Sequence, residues 1–189
     1  MPIALPSRYR PSQIAMFAAW QHEDAIDEFL RSDRLGKALA KGWHVRMEFL
    51  RRWGYIHELD GLPLVAHEYD DQRPVVAVTL ARLRISQAFR FIRWGKPVEE
   101  QVRDDPATTI TLAAMRPIGT LSTFSIWKTQ QAMTDMVHGR SQSAAAQRHV
   151  NAMRERNRKD FHHEFTTLRF RPISEHGQWQ GRDRLLPEL

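Results

Sequence analysis

Leu121-Ser-Thr-Phe-Ser-Ile-Trp-Lys-Thr-Gln-Gln-Ala-Met-Thr-Asp-Met-Val137 changes its period in mid-course. Up to Trp127 the residues alternate, with Thr123 and Ser125 on one side and Phe124 and Ile126 on the other, as in a strand. Beyond Trp127, the residues Ala132, Met133, Met136 and Val137 fall on one face of a helix. The same arrangement surrounds Trp20. Phe17 precedes it by three positions, as Phe124 precedes Trp127, and Ala25, Ile26, Phe29 and Leu30 repeat the four helical offsets. A strand over 14–20 and an amphipathic helix after it are therefore expected in a first copy.

A further strand follows each helix: Trp43-His-Val-Arg-Met-Glu-Phe-Leu50 in the first copy, and Phe161-His-His-Glu-Phe-Thr-Thr-Leu-Arg-Phe170 in the second. Trp20 and Trp127 are 107 positions apart and His44 and His162 are 118 apart, so the second copy holds 11 extra residues. They fall in Ser143 to Arg158, which reads as an additional helix with Ala146, His149, Val150 and Met153 on one face.

Between the copies, Val75 to Arg84 has high strand propensity. Ser86 is a candidate cap for a helix carrying Phe89 and Ile92. Gly95 and Pro97 are expected to interrupt that helix, and Asp104-Asp-Pro106 to end it. Thr108 to Met115 reads as a strand, and Pro117 with Gly119 as the turn back into Leu121. From about 74 onward the order is β-α-β-β-α-(α)-β, the ferredoxin-like arrangement. The expected fold is α+β, with tandem ferredoxin-like units of the dimeric α+β barrel type. The first unit is a partial β-α-β repeat over 11–60. The second, over 74–175, is complete, and a tail follows over 176–189. The incomplete first unit leaves room for a homo-oligomer to supply what it lacks.

The 189 residues include no Cys, which removes disulfides, thiolate metal sites and cysteine nucleophiles. No apolar run is long enough for a membrane span, and the N-terminus lacks the order of a signal peptide. A cytoplasmic protein is the expectation. The net charge is +6 and the pI about 10.1. The densest basic run, Arg154 to Lys159, is interleaved with acids and reads as a solvated helix face, and no zinc-finger, helix-turn-helix or RNA-binding motif is present. Nucleic acid is not an expected partner.

The second copy resembles the spheroidene monooxygenase family of carotenoid biosynthesis. The resemblance is carried by Thr123-Phe-Ser-Ile-Trp127, Gln131-Ala-Met133, His149 with its arginine-rich helix, Phe161-His-His-Glu-Phe-x-x-x-Arg-Phe170, and Gly177-Gln-Trp-Gln-Gly-Arg-Asp183. It covers most of 108–183, and 14–50 more weakly. It implies a heme-dependent oxidoreductase of monooxygenase type that acts on an apolar small molecule. The chain departs from the family in lacking its opening strand and helix, and in having Phe161-His162 where the family has Trp-Tyr. The alternatives implied are another heme reaction on this fold, such as aldoxime dehydration or heme breakdown, or a non-catalytic binding or assembly module.

His149 matches the family's helical histidine, and it is the expected iron ligand, with Met153 one turn on. His138 is the reserve ligand, although its place just before Gly139 also suits a helix C-terminus. Arg148, Arg154 and Arg116 are candidate partners for the heme propionates. His162 and His163 are adjacent on a strand and point to opposite faces, so they do not form one metal site. His67-Glu68-Tyr69 with Asp70-Asp71 reads as a solvated turn. Trp43, Trp53 and Trp94 are candidates to line an apolar cavity.

Overall fold

A computed structural model describes residues 10, 12–116, 119–141 and 145–188. The elements in chain order are α1 (Glu23–Ser32), α2 (Arg34–Leu39), β1 (His44–Tyr55), β2 (Val75–Leu83), α3 (Ala88–Arg103), β3 (Thr108–Arg116), β4 (Thr120–Trp127), α4 (Gln130–Val137), α5 (Arg148–Arg158) and β5 (His162–His176). The strands form one antiparallel sheet in the order β1-β5-β2-β4-β3. Strands β2 to β5 follow the ferredoxin-like order, and β1 adds a fifth strand beside β5. The protein is α+β.

Period-2 alternation gives the sheet two different faces. One face carries Val75, Ala77 and Trp127 and lies under α4, where Met133 and Met136 are buried; α3 contributes Val102 to the same cluster. On the other face, Val76, Val78, Ile110, Ile126, Leu168 and Phe170 form the larger core. Phe17, Trp43, Leu59, Leu62, Trp179 and Leu185 cover it, all from segments outside the sheet. The covering tail is tied down by polar contacts. The Thr109 hydroxyl donates to the Leu185 carbonyl at 2.6 Å, and the Leu186 N–H donates to Glu175 at 2.9 Å.

Several expectations are corrected. Residues 14–20 form no strand. Trp20 packs on Phe29, at 5.0 Å between ring centroids, and remains 38% exposed, whereas Trp127 is 1% exposed. The first copy therefore shares the spacing of the second, but it lacks a sheet neighbour for its leading segment. Helix α3 runs unbroken through Gly95 and Pro97. Its face packs on β3 and α5, and that packing overrides local propensity. Ser86 does not cap it, because a 3-10 turn over Ile85–Gln87 leads directly into the helix. Helix α5 begins at Arg148 rather than Ser143, and Pro117 and residues 142–144 lie outside the described residues. Strand β5 extends six residues past Phe170, because β1 pairs along that added length.

Candidate functional site

His149 enters the helix side of the sheet from the first turn of α5, and its position is set by two bonds. Its backbone N–H donates to the Gln101 side chain of α3 at 2.9 Å. Its ring Nδ1 lies 2.9 Å from the Val137 carbonyl, at the end of α4. A carbonyl only accepts, so Nδ1 carries the proton and Nε2 keeps a free lone pair. Among the described residues Nε2 has no hydrogen-bond partner. Burial, opposed by the Val137 bond and reinforced by the charges of Arg169 and His138, holds the imidazole below its ordinary pKa. The ring is thus neutral at pH 7 and basic at one defined nitrogen, as a metal-bound histidine has to be.

The Arg169 charge that bears on His149 comes from the middle of β5. Arg169 shares the helix-side face with Ala77, its partner on β2, and is only 8% exposed. Its strand partner on β1 is Arg51. Two guanidinium groups therefore stand directly opposite one another, an arrangement that repels. Trp53 softens it: Arg51 lies 4.4 Å and Arg169 5.3 Å from the indole ring. Arg51 is also 5.8 Å from the ring of Tyr69. Neither arginine has a carboxylate partner among the described residues, and the Nε of each is buried without an acceptor. Desolvation lowers the Arg169 pKa to about 10, which still leaves it charged at pH 7. Arg171, two residues further along β5, differs in pairing with Glu48 at 3.1 Å.

Tyr69 and Arg171 also border a cavity of about 460 Å³, whose wall includes Leu50, Val75, Gln130 and Pro172. Trp53 is 41% exposed, so the helix layer leaves this side of β1 open. A ligand in the cavity would meet a mixed wall, apolar at Leu50, Val75 and Pro172 and charged at Asp70, Arg73 and Arg171.

Of the other residues singled out from the sequence, Trp53, His138 and Met153 belong to or adjoin this arrangement, and the rest lie apart from it. Met153 is half-buried one turn after His149. His138 is exposed at the end of α4, where Gly139 reverses the chain with φ of 70°. Arg148 pairs with Glu100 at 3.3 Å, and Arg154 is exposed, 3.5 Å from Asn151. Arg116 sits at the end of β3 and pairs with Glu58, which also holds Arg82 on the face away from His149. The three tryptophans do not share a cavity. Trp43 packs on Phe124 and Trp179 on the far face, Trp53 lies between the arginines, and Trp94 is half-buried in α3. His162 is buried and His163 exposed. Asp70 accepts the Gln72 N–H in a turn. Arg169 was visible in the sequence as a cation inside the apolar run Leu168-Arg-Phe170, but its lack of a partner was not.

No family model matches the chain. Spheroidene monooxygenase of Rubrivivax gelatinosus is 32% identical to it over 178 residues, which span 92% of this chain and 66% of the relative. The chain is a spheroidene monooxygenase homologue. This homologue thus covers just under two thirds of the length of the relative it matches. Among solved structures, a Fusobacterium nucleatum protein bearing a monooxygenase name aligns with a TM-score of 0.46 at 10% identity, over 70% of this homologue and 52% of that chain. A Chloroflexus aurantiacus protein named for antibiotic biosynthesis monooxygenase aligns at 0.41 and 11%, over 55% of this homologue and 97% of that chain.

Proposed function

We propose that this chain binds heme through His149 Nε2 and serves as a monooxygenase-like enzyme on an apolar small molecule. The observation that carries the reading is the bond from His149 Nδ1 to the Val137 carbonyl, which presents the opposite nitrogen as a neutral ligand. The orphaned buried Nε of Arg169 fits the same reading, because heme brings carboxylates into an otherwise apolar site. Kinship with spheroidene monooxygenase supports the reaction class.

Heme, when bound, supplies the redox chemistry of oxygen or peroxide activation. The chain's own residues have simpler tasks. The Val137 carbonyl holds the imidazole in one tautomer, and Gln101 anchors the His149 backbone. Leu50, Val75 and Pro172 give the cavity at the β1–β5 edge an apolar wall for a substrate, with Tyr69, Asp70, Arg73 and Arg171 as its polar side.

The test is the absorption spectrum of the full chain after titration with hemin. A Soret band shifted from that of free hemin is expected for the wild type, with loss or displacement of that band in His149→Ala. An unshifted spectrum for the wild type, or the same band in His149→Ala, overturns the assignment.

A further inference from the structure

We infer that Arg169 and Arg51 together form a binding site for one carboxylate, facing the helix side of the sheet beside Trp53. The identity of this carboxylate as a heme propionate rests on the heme reading above; the site itself does not. Three observations on separate parts of the molecule converge on it.

The first is burial. Arg169 is 8% exposed at the centre of a five-stranded sheet, and its Nε is buried with no acceptor. The only described hydrogen bond of its side chain runs from Nη1 to the adjacent Leu168 carbonyl at 3.2 Å. Buried guanidinium groups ordinarily sit against a carboxylate or a set of carbonyls, because desolvation is otherwise uncompensated. The second is the register. Arg51 stands opposite on β1 with its own Nε orphaned, so two forks converge on one space. One anion accepting from both would turn a repulsive cross-strand pair into a bridged one. The third is the ionic arrangement of the neighbours. Arg171, two residues along the same strand, pairs with Glu48, whereas Arg51 and Arg169 have no carboxylate partner among the described residues. The planar guanidinium fork suits a carboxylate, and both guanidinium groups lie against the Trp53 ring.

Hemin is compared with its dimethyl ester, in which both propionates are blocked, by Soret titration of the wild type, Arg169→Gln, Arg169→Lys and Arg51→Gln. The wild type should bind the diacid at least about ten-fold more tightly than the ester, a difference typical of a charge-assisted pair. Arg169→Gln and Arg51→Gln should each reduce that preference, and Arg169→Lys should restore it only in part, while the Soret position set by His149 stays unchanged. A parallel arm measures thermal shifts with hexanoate against hexanamide. Hexanoate should stabilise the wild type and not Arg169→Gln. Porphyrin binding without preference for the diacid would leave the heme reading standing and overturn this inference. Failure of both porphyrins to bind, with an Arg169-dependent hexanoate shift, would remove heme and assign the site to a free organic acid. The absence of both a diacid preference and a hexanoate shift would overturn the carboxylate site outright.

Discussion

Arg169 and His162 lie on the same face of β5 and handle burial in opposite ways. Arg169 keeps its charge, so a ligand-free protein bears an uncompensated buried cation opposite Arg51. Replacing such a group with a neutral one of similar size is often neutral or stabilising. Arg169→Gln should therefore leave the urea midpoint of the ligand-free protein unchanged or raise it, by on the order of 1 kcal/mol. A loss of several kcal/mol would mark Arg169 as a structural group instead. His162 gives its charge up. It is 5% exposed, packed against Phe91, Phe161 and Phe165, and neither ring nitrogen has a hydrogen bond. Burial and the charge of Arg156 depress its pKa to about 4, with Asp160 opposing. The unfolded histidine titrates near 6.5, so between 6.5 and about 4 the unfolded chain holds the extra proton. The contribution of His162 to stability is complete above pH 6.5 and is lost as the pH falls toward 4, at a total of roughly 2–3 kcal/mol. Burial works to raise the Asp160 carboxyl, but the His162 backbone N–H and Arg156 together hold it low, so its contribution is lost at more acid pH than that of His162. Urea midpoints at pH 7 and pH 4.5 should differ clearly in the wild type and less in His162→Phe.

At the scale of elements, two glycines carry opposite expectations. Gly95 lies inside α3, and a methyl group there would meet only the Phe91 ring at 3.6 Å, an ordinary contact. Gly95→Ala should stabilise the protein by about 0.5–1 kcal/mol through helix propensity, read as a higher melting temperature. Gly54 near the end of β1 has φ of 82°, and an added Cβ would fall 2.2 Å from the Phe165 carbonyl. Gly54→Ala should break the last β1–β5 pairings and cost more than about 2 kcal/mol. The helices were legible in the sequence where apolar spacing and packing agree, as at Met133 and Met136. The α3 interior was not, because Pro97 and Gly95 speak only for local preference, whereas Val102 and Gln101 are held by contacts with the sheet and α5. Strand 14–20 failed for the converse reason: Phe17 found a ring to pack on in Phe170 without any neighbouring strand to bond. His149 could be singled out by its helical face and its resemblance. Arg51 could not, since only the β1–β5 register sets it opposite Arg169.

On the scale of the whole molecule, the sheet face turned away from the helices is closed by segments remote from one another in sequence. Leu185 from the tail is 3% exposed within that core. Leu185→Ala should cost about 2–4 kcal/mol, measured as a fall in the urea midpoint. Strand β5 has a second significance. It lies between β1 and β2, and its partners begin more than 80 residues earlier in the chain. During synthesis β2, β3 and β4 can pair as soon as they emerge, but β1 has no place in the sheet until β5 has left the ribosome. Strand β1 must therefore wait for β5, with its apolar residues Val45, Met47 and Phe49 unprotected meanwhile. A nascent chain stalled before residue 162 would present an orphan strand, a natural target for chaperones and a seed for aggregation.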